Sequence, residues 1–455
     1  MPISSVNPTT GELIRHYDTD APGAVEQALA RATDAFATWR HQPIAQRAAV
    51  LARAAALLDA EAASFAALMT AEMGKPIRAG RDEAAKCAGA CRYYAENAAA
   101  FLAPQEIDGP DQAVWFEPLG PILAVMPWNF PFWQVVRFAA PALAAGNVGL
   151  LKHASNVPGC ALALQDLFRR AGAPDGVFQT LLVDSADVQR IIADARVAAV
   201  TLTGSEGAGS DVAGAAGRHL KKTILELGGS DPFIVLPSAD IDRAAEIAAK
   251  ARVVGNGQSC IAAKRFIVAD AVYDRFAAAF VERMRALVVG DPADEATDVG
   301  PLATAAVRAQ VAKQVTESVA AGARVLLGGT VPAGPGSFYP PTVLADVPTS
   351  APAAREEVFG PVAALFRVAD AAAALARAND STFGLGASVW TRDRDEATWF
   401  ARELQAGSVF VNAMVASDAR FPFGGVKRSG YGRELGPFGL RELVNVKTVR
   451  MSLGG

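Results

Sequence analysis

The sequence predicts an α/β protein whose parallel strands are buried between helices. Three observations carry this. From about residue 112 onward, short apolar runs bounded by glycine and proline alternate with stretches of helical periodicity, the pattern of βαβ units. Apolar residues make up 51% of the chain and charged residues 20%, the balance of a well-packed globular protein. The length of 455 residues exceeds one ordinary core and points to about three domains.

The first hundred residues read as helices. Val25, Leu29, Ala32, Phe36 and Trp39 recur at spacings of three and four and share one face. A second helix follows Pro43, and another runs through 49–73 until Gly74, Lys75 and Pro76 stop it. Cys87 and Cys91 lie four apart on a further helix; no other Cys or His joins them as metal ligands, so they read as small core residues. Strands are expected at 122–126, 148–152, 177–183, 198–203, 233–236, 266–268, 387–391 and 408–412. The segments 112–117 and 443–451 alternate apolar and polar residues instead. They read as half-buried strands that pair with each other or with the edge of another subunit.

Composition narrows the function. A net charge of −4 gives no electrostatic reason to expect nucleic acid or an anionic membrane as partner. Four cysteines in so long a chain argue against a disulfide framework, and no basic and apolar leader is visible, so a cytoplasmic protein is expected. The apolar stretch 121–151 carries Asn129, Arg137 and four prolines, which favours strand, loop and helix over a membrane span.

Four segments hold residues able to do chemistry. Glycines and small polar residues precede Cys260 in Val254–Ala262, a pattern suited to a tight turn presenting a thiol, although a lone Cys among apolar neighbours also suits a core. Glu226 stands between leucines and ahead of two glycines. It is either a desolvated general base or an ion-pair partner of Lys221 or Lys222. Asn129 is held between Pro127 and Pro131, beside Trp128 and Phe130, and either donates to an oxyanion or satisfies its own turn. Leu151–Ser155 and Thr203–Gly209 are candidate cofactor contacts: the second follows a strand and opens a helix, so its N–H groups can face a phosphate, although it does not match G-x-G-x-x-G.

Taken in order, these segments resemble the aldehyde dehydrogenase superfamily. WNFP appears as Trp128–Pro131, the strand lysine as Lys152, TGS-x-x-x-G as Thr203–Gly209 and LELGG as Leu225–Gly229. GQ-x-C follows at Gly257–Cys260, EE-V-FGP at Glu356–Pro361 and PFGG-x-K-x-SG-x-GRE at Pro422–Glu434, with an early E-x-GKP at Glu72–Pro76. The resemblance spans essentially the whole chain and is strongest to the short succinate-semialdehyde dehydrogenases. It implies two parallel-sheet, Rossmann-like domains and a small bridging sheet. Residues 1–100 and 119–227 would bind cofactor, 228–430 would form the catalytic domain, and 101–118 with 431–455 would serve oligomerisation. A homodimer or homotetramer follows.

By the same resemblance Cys260 is the nucleophile, Asn129 and the Cys260 N–H hold the oxyanion, and Glu226 activates the hydrolytic water. Trp128, Lys152, Ser155, Gly204, Ser205, Gly209, Leu227, Glu357 and Phe359 are implied cofactor contacts, with no metal. NAD-preferring relatives often carry a glutamate where this chain has Ser155. A carboxylate there would repel a 2′-phosphate, so NADP is expected to be preferred, with NAD as the alternative. This chain departs from the pattern at His153, where the family has proline. Arg137 and Ser417 match positions that hold the distal carboxylate of succinate semialdehyde, although an arginine on this helix also suits an ion pair at a subunit contact. The alternatives are glutarate semialdehyde or a small aliphatic aldehyde as substrate, CoA-acylating chemistry (disfavoured by Glu226), a cysteine hydrolase, and a silent cofactor-binding protein.

Overall fold

Parallel strands place all their carboxyl ends on one edge, and that edge is where this chain gathers its motifs. The computed structural model describes residues 3–452; residues 1–2 and 453–455, part of the first and last expected segments, lie outside the described residues. Four sheets are present. One has six strands, with Pro121–Met126 flanked in parallel by Val148–His153 on one side and Ala199–Thr203 on the other. Phe178–Thr180 and Lys222–Glu226 extend it in parallel, and Gly430–Tyr431 closes one edge antiparallel to Lys222–Glu226. The second sheet has seven strands, with Asp231–Val235, Ala263–Ala269, Val362–Val368 and Gly386–Trp390 at its centre.

A third sheet joins Val444–Arg450, Gln112–Pro118 and Gln105–Glu106, all antiparallel. The two alternating segments therefore pair with each other within one chain. An antiparallel hairpin, Ile3–Val6 with Leu13–Tyr17, departs from the all-helical expectation for the first hundred residues. Its second strand is largely exposed and lacks the apolar run that marked the buried strands. Several further strands escaped the sequence reading, among them Lys222–Glu226, Thr342–Ala345 and Val362–Val368. The helical stretch expected at 49–73 is two helices, Ile44–Ala60 and Ala62–Met73, bent 73° apart at Glu61. The stretch 121–151 folds as strand, turn, helix and strand, and no single helix among the described residues is long and apolar enough to cross a membrane.

The abundant alanine has a packing role. All thirteen residues of the helix Trp133–Ala145 are buried, five of them alanines beside larger neighbours. Where Ile77–Phe101 crosses Ala62–Met73, a Cβ on Gly80 would lie only 2.8 Å from the Ala66 Cβ, so the crossing requires two small residues. Cys87 and Cys91 are buried on the inner face of Ile77–Phe101.

Two buried carboxylates lock this helical layer to the sheet. Glu72 accepts from the Gly159 and Cys160 N–H groups, both at 2.9 Å, and from Ser5 Oγ. It thereby serves the amino end of Pro158–Arg170, which has no side-chain cap of its own. Glu83 does the same for Trp133–Ala145, accepting from Phe132 and Trp133 N–H at 2.9 Å, and it is ion-paired with the fully buried Lys75. Lys75 also stands 3.8 Å from the Phe130 ring centroid. Breaking a buried pair from one side costs about 3–5 kcal/mol because the other charge is stranded. Glu83→Ala should accordingly lower the denaturation midpoint sharply, and Glu83→Gln, which keeps an acceptor for one helix N–H, should lower it less. Equal midpoints for wild type and Glu83→Ala would contradict this role.

Candidate active site

In the six-stranded sheet the chain runs outward from Pro121–Met126 through Val148–His153 to Phe178–Thr180, then returns to the other side with Ala199–Thr203. The connections thus diverge between Pro121–Met126 and Ala199–Thr203, leaving a crevice outside their carboxyl ends, the usual ligand position in open α/β sheets. A cavity of ≈ 280 Å³ lies there. It is lined by Trp128 and Asn129 from the first strand end, Gly204 and Ser205 from the second, and by Leu227, Glu357, Phe359 and Cys260. Trp128 and Phe359 meet edge to face at 5.7 Å across it. A second cavity of ≈ 100 Å³ touches Cys260 from the other side and is lined by Arg137, Ser417, Trp133, Phe423 and Lys86, among others. The thiol therefore stands at the junction of two chambers.

The turn that holds it is made possible by backbone conformation. Gly255, Asn256 and Gly257 have φ of 61°, 60° and 75° in succession, in the left-handed region that glycine tolerates best. At Gly257 a Cβ would also fall 2.4 Å from the Gly360 carbonyl carbon. Asn256 bears the strain through its side chain, donating to Gly74 and Pro301 carbonyls and accepting from Gly300 N–H. Lys264 Nζ donates to the Ser259, Cys260 and Ala262 carbonyls at 2.8, 2.9 and 3.1 Å, and Arg252 donates to Gly257. Burial pushes the Cys260 thiol up to about 12, with Glu357 adding to the effect and Arg137 and Lys264 opposing it.

Asn129 is 4% exposed, and its Nδ2 donates to Gln258 O at 2.9 Å, which leaves one amide N–H for a ligand beside Cys260. Glu226 is 2% exposed and has no salt bridge among the described residues; Lys222 pairs with Glu442 instead. Desolvation and then the neighbouring Glu434 raise its pKa well above the ordinary carboxylate value. The ion-pair reading of Glu226 is thereby removed: it is a desolvated carboxyl group that lines neither chamber.

The implied cofactor fits the residues of the first chamber. Gly229 N–H donates to Glu357 Oε1 at 3.0 Å and Lys264 approaches the same oxygen, which leaves Oε2 without a protein donor. A Cβ on Gly228 would lie 2.6 Å from that Oε2, and one on Gly209 would lie 2.5 Å from Leu227, so both glycines keep the crevice clear. Ser205 caps the helix Glu206–Arg218 through Ala208 N–H. Lys152 and Ser155 do not line this chamber. They follow the neighbouring strand on the same edge, where Ser155 is exposed and Lys152 is half-buried without an acidic partner among the described residues. His153 is buried: Nε2 lies 2.9 Å from Pro131 O and Nδ1 accepts from Ala154 N–H. Desolvation holds its pKa down at about 4, so it is a neutral brace between the strand end and the turn carrying Asn129.

Arg137 is 2% exposed, ion-paired with Glu434, bonded to Thr203 Oγ1 at 3.2 Å and stacked over Phe423. Its ion pair lies within this chain. Ser417 Oγ accepts from Lys86 Nζ at 2.7 Å and from Trp133 Nε1 at 3.1 Å. Sequence reading missed Lys86, Glu434, Lys264 and Arg252. A signal for the first exists: Lys86, Gly89, Ala90 and Tyr93 recur at helical spacing and line one groove, a stripe whose small residues leave room. A larger groove of ≈ 450 Å³, near Arg31 and Gln179, holds none of the motif residues.

A model described as "Aldehyde dehydrogenase family" matches residues 1–449. Succinate-semialdehyde dehydrogenase [NADP(+)] 1 of Mycobacterium tuberculosis is 56% identical over 454 residues, covering 99% of each chain. The crystal structure of succinic semialdehyde dehydrogenase from Streptococcus pyogenes, in complex with NADP+, superposes with a TM-score of 0.96 at 36% identity, covering 99% of each chain. An NAD-dependent aldehyde dehydrogenase from Sinorhizobium meliloti superposes with a TM-score of 0.97 at 34% identity, covering 100% of this chain and 92% of that one. The backbone alone therefore does not separate the two cofactors.

With a thiol pushed up to about 12 by burial, alkylation of Cys260 by iodoacetamide should be slow at neutral pH and keep climbing to about pH 10 without a plateau. Glu357→Gln should speed it by removing the largest opposing charge. A plateau near pH 7 would contradict this account.

Proposed function

This chain belongs to the aldehyde dehydrogenase family, and from that premise we propose that it oxidises succinate semialdehyde to succinate with NADP. The carrying observation is the position of Cys260 between two chambers, one lined by residues that suit the nicotinamide end of a dinucleotide and one with cationic side chains for an acid. The names of the M. tuberculosis and S. pyogenes relatives support the substrate and the cofactor.

Cys260 attacks the aldehyde carbon as thiolate, forming a C–S bond and an oxyanion. The free Asn129 N–H and the Cys260 backbone N–H hold that oxyanion. When bound in the first chamber, NADP would supply the hydride acceptor, and loss of the hydride as the C=O bond re-forms would leave a thioester on Cys260. Glu226 takes a proton from water, the water oxygen adds to the thioester, and the C–S bond breaks to release acid and the Cys260 thiolate, while Glu226 returns its proton to solvent. A carboxyl group with a raised pKa suits both halves of that proton cycle. Arg137 and Ser417 both line the inner chamber and would receive the distal carboxylate. In the first chamber Glu357 Oε2 would take ribose hydroxyls, Gly204 and Ser205 would approach a phosphate at the helix end, and Trp128, Leu227 and Phe359 would wall the ring. Gly209 lets that helix pack close, and Lys152 with Ser155 would receive the adenosine 2′-phosphate.

We read residues 1–100 and 119–227 as the cofactor unit, 228–430 as the catalytic unit, and 101–118 with 431–455 as the bridging unit. The edge strand Val444–Arg450, with Val446 58% exposed, supports pairing with a further copy in a homodimer or homotetramer. Four free cysteines fit a reducing, cytoplasmic setting.

NADPH or NADH formation with succinate semialdehyde, glutarate semialdehyde, a neutral aliphatic aldehyde and benzaldehyde tests the reading. The expected result is highest kcat/KM for succinate semialdehyde with NADP; equal turnover of the neutral aldehydes would overturn the substrate. Cys260→Ser should abolish turnover, and Glu226→Gln should give a burst of about one NADPH per site followed by a slow phase, because acylation survives loss of the hydrolytic base. Ser155→Glu should shift the NADP/NAD ratio of kcat/KM toward NAD by on the order of 100-fold, through repulsion of the 2′-phosphate.

A further inference from the structure

The inner chamber opens outward at Lys86, Trp133 and Ser417. These three residues also line an outer groove of ≈ 400 Å³ that carries Asp418 and Arg420. They form the threshold that a substrate crosses on its way to Cys260. Lys86 stands on the helix Ile77–Phe101 with its ammonium 4.3 Å from the Trp133 ring centroid.

The charges around this threshold cancel, with one exception. Arg137, from the helix Trp133–Ala145, is ion-paired with Glu434. Asp418, from the segment after Asn412, is held by Arg420, which contacts both of its carboxylate oxygens. Glu83, on the same helix as Lys86, is paired with Lys75. Cys87 is buried with its pKa pushed well above the ordinary thiol value, so it is neutral. Lys86 alone has no carboxylate within ion-pairing distance among the described residues. Solvent reaches it from the outer groove, and the residue is exposed by area. Even so, the walls strip enough water from its ammonium, with Arg137 adding repulsion, to lower its pKa to about 8.

Ser417 completes the argument. Its Oγ accepts from Lys86 Nζ and Trp133 Nε1, which occupies its lone pairs and leaves its O–H to donate. An O–H donor and an ammonium side by side, above an aromatic face, form a site for an anion.

We propose that Lys86 is a specificity-determining residue that receives the distal carboxylate of the substrate, together with the Ser417 hydroxyl, at the threshold of the inner chamber. This rests on the reading of the substrate as a semialdehyde acid and assigns the charge that selects it. The Arg137–Glu434 pair is close to neutral, so Lys86 supplies the net positive charge that a carboxylate meets. With the aldehyde carbon fixed at Cys260 and the carboxylate at Lys86, the span between them selects chain length.

The test compares succinate semialdehyde with butanal, its uncharged analogue of equal length, at saturating NADP, and measures competitive inhibition by succinate. Lys86→Met keeps an apolar stem over Trp133 and should raise KM for the semialdehyde and the inhibition constant for succinate by roughly 10- to 100-fold, as for loss of a charge-assisted hydrogen bond. The loss for butanal should be at least about tenfold smaller, and Lys86→Arg should restore part of the discrimination. In the wild type, KM for the semialdehyde should rise as pH passes about 8, where Lys86 loses its proton, and this rise should vanish in Lys86→Met. Should the methionine variant fail to fold, Lys86→Gln gives the same comparison. Equal losses for both aldehydes would overturn the role of Lys86. Full discrimination surviving in the variant would overturn it alone and leave the substrate reading standing on Arg137. A wild type that does not discriminate would overturn both.

Discussion

The turn at 255–257 is the constraint on which the rest depends. Three successive residues in the left-handed region project Cys260 into the crevice, and they leave several carbonyls pointing into the interior. A buried carbonyl without a donor costs on the order of 1–3 kcal/mol, so such a turn persists only where donors are brought to it. Lys264 brings three donor contacts, Arg252 reaches Gly257 and Val362, and Asn256 ties the turn to Gly74 and Gly300. Both cations are themselves buried, and desolvation lowers the pKa of each. The negative charges of Glu357 and Asp231 offset that cost. The same Glu357 faces the first chamber, so the group that helps to hold the nucleophile turn also borders the cofactor crevice.

That sharing sets the electrostatics of the thiol. Burial and Glu357 disfavour the thiolate, while Arg137 and Lys264 favour it. The pattern repeats around Arg137, where one buried cation lies among the buried carboxyl groups of Glu226 and Glu434. Because Arg137 is committed to Glu434, it steadies the surroundings of Glu226 as well as bordering the second chamber. Glu434 belongs to the Pro422–Glu434 segment, whose residues 430–431 also add a strand beside Glu226, so charge and backbone are fixed by the same stretch.

Much of the fold was legible in the sequence. The central strands announced themselves as apolar runs because both their faces are buried, and the strands at 112–118 and 444–450 by alternation because one face is not. Lys222–Glu226 was missed since its first residues are polar and partly exposed, and the bend at Glu61 since no glycine or proline marks it. Cys260, Glu226 and Asn129 were legible as chemistry because glycine and proline around them prescribe special backbone. Their setting was less so: Lys152 and Ser155 share the edge but not the chamber of the other cofactor residues.

The sequence by itself determined the strands, the turn chemistry and the family to which the chain belongs, since these depend on residues close together along the chain. Tertiary structure alone decided which charges are free. Arg137 meets Glu434, Glu83 meets Lys75 and the amino end of a helix, and Lys86 meets Ser417 across 331 residues of sequence. The Arg137–Glu434 and Lys86–Ser417 pairings are set by how helices and strands pack, and local composition carries no record of them. A lysine on an amphipathic helix looks like any solvated lysine until packing sets it over an aromatic ring and withholds its counter-ion.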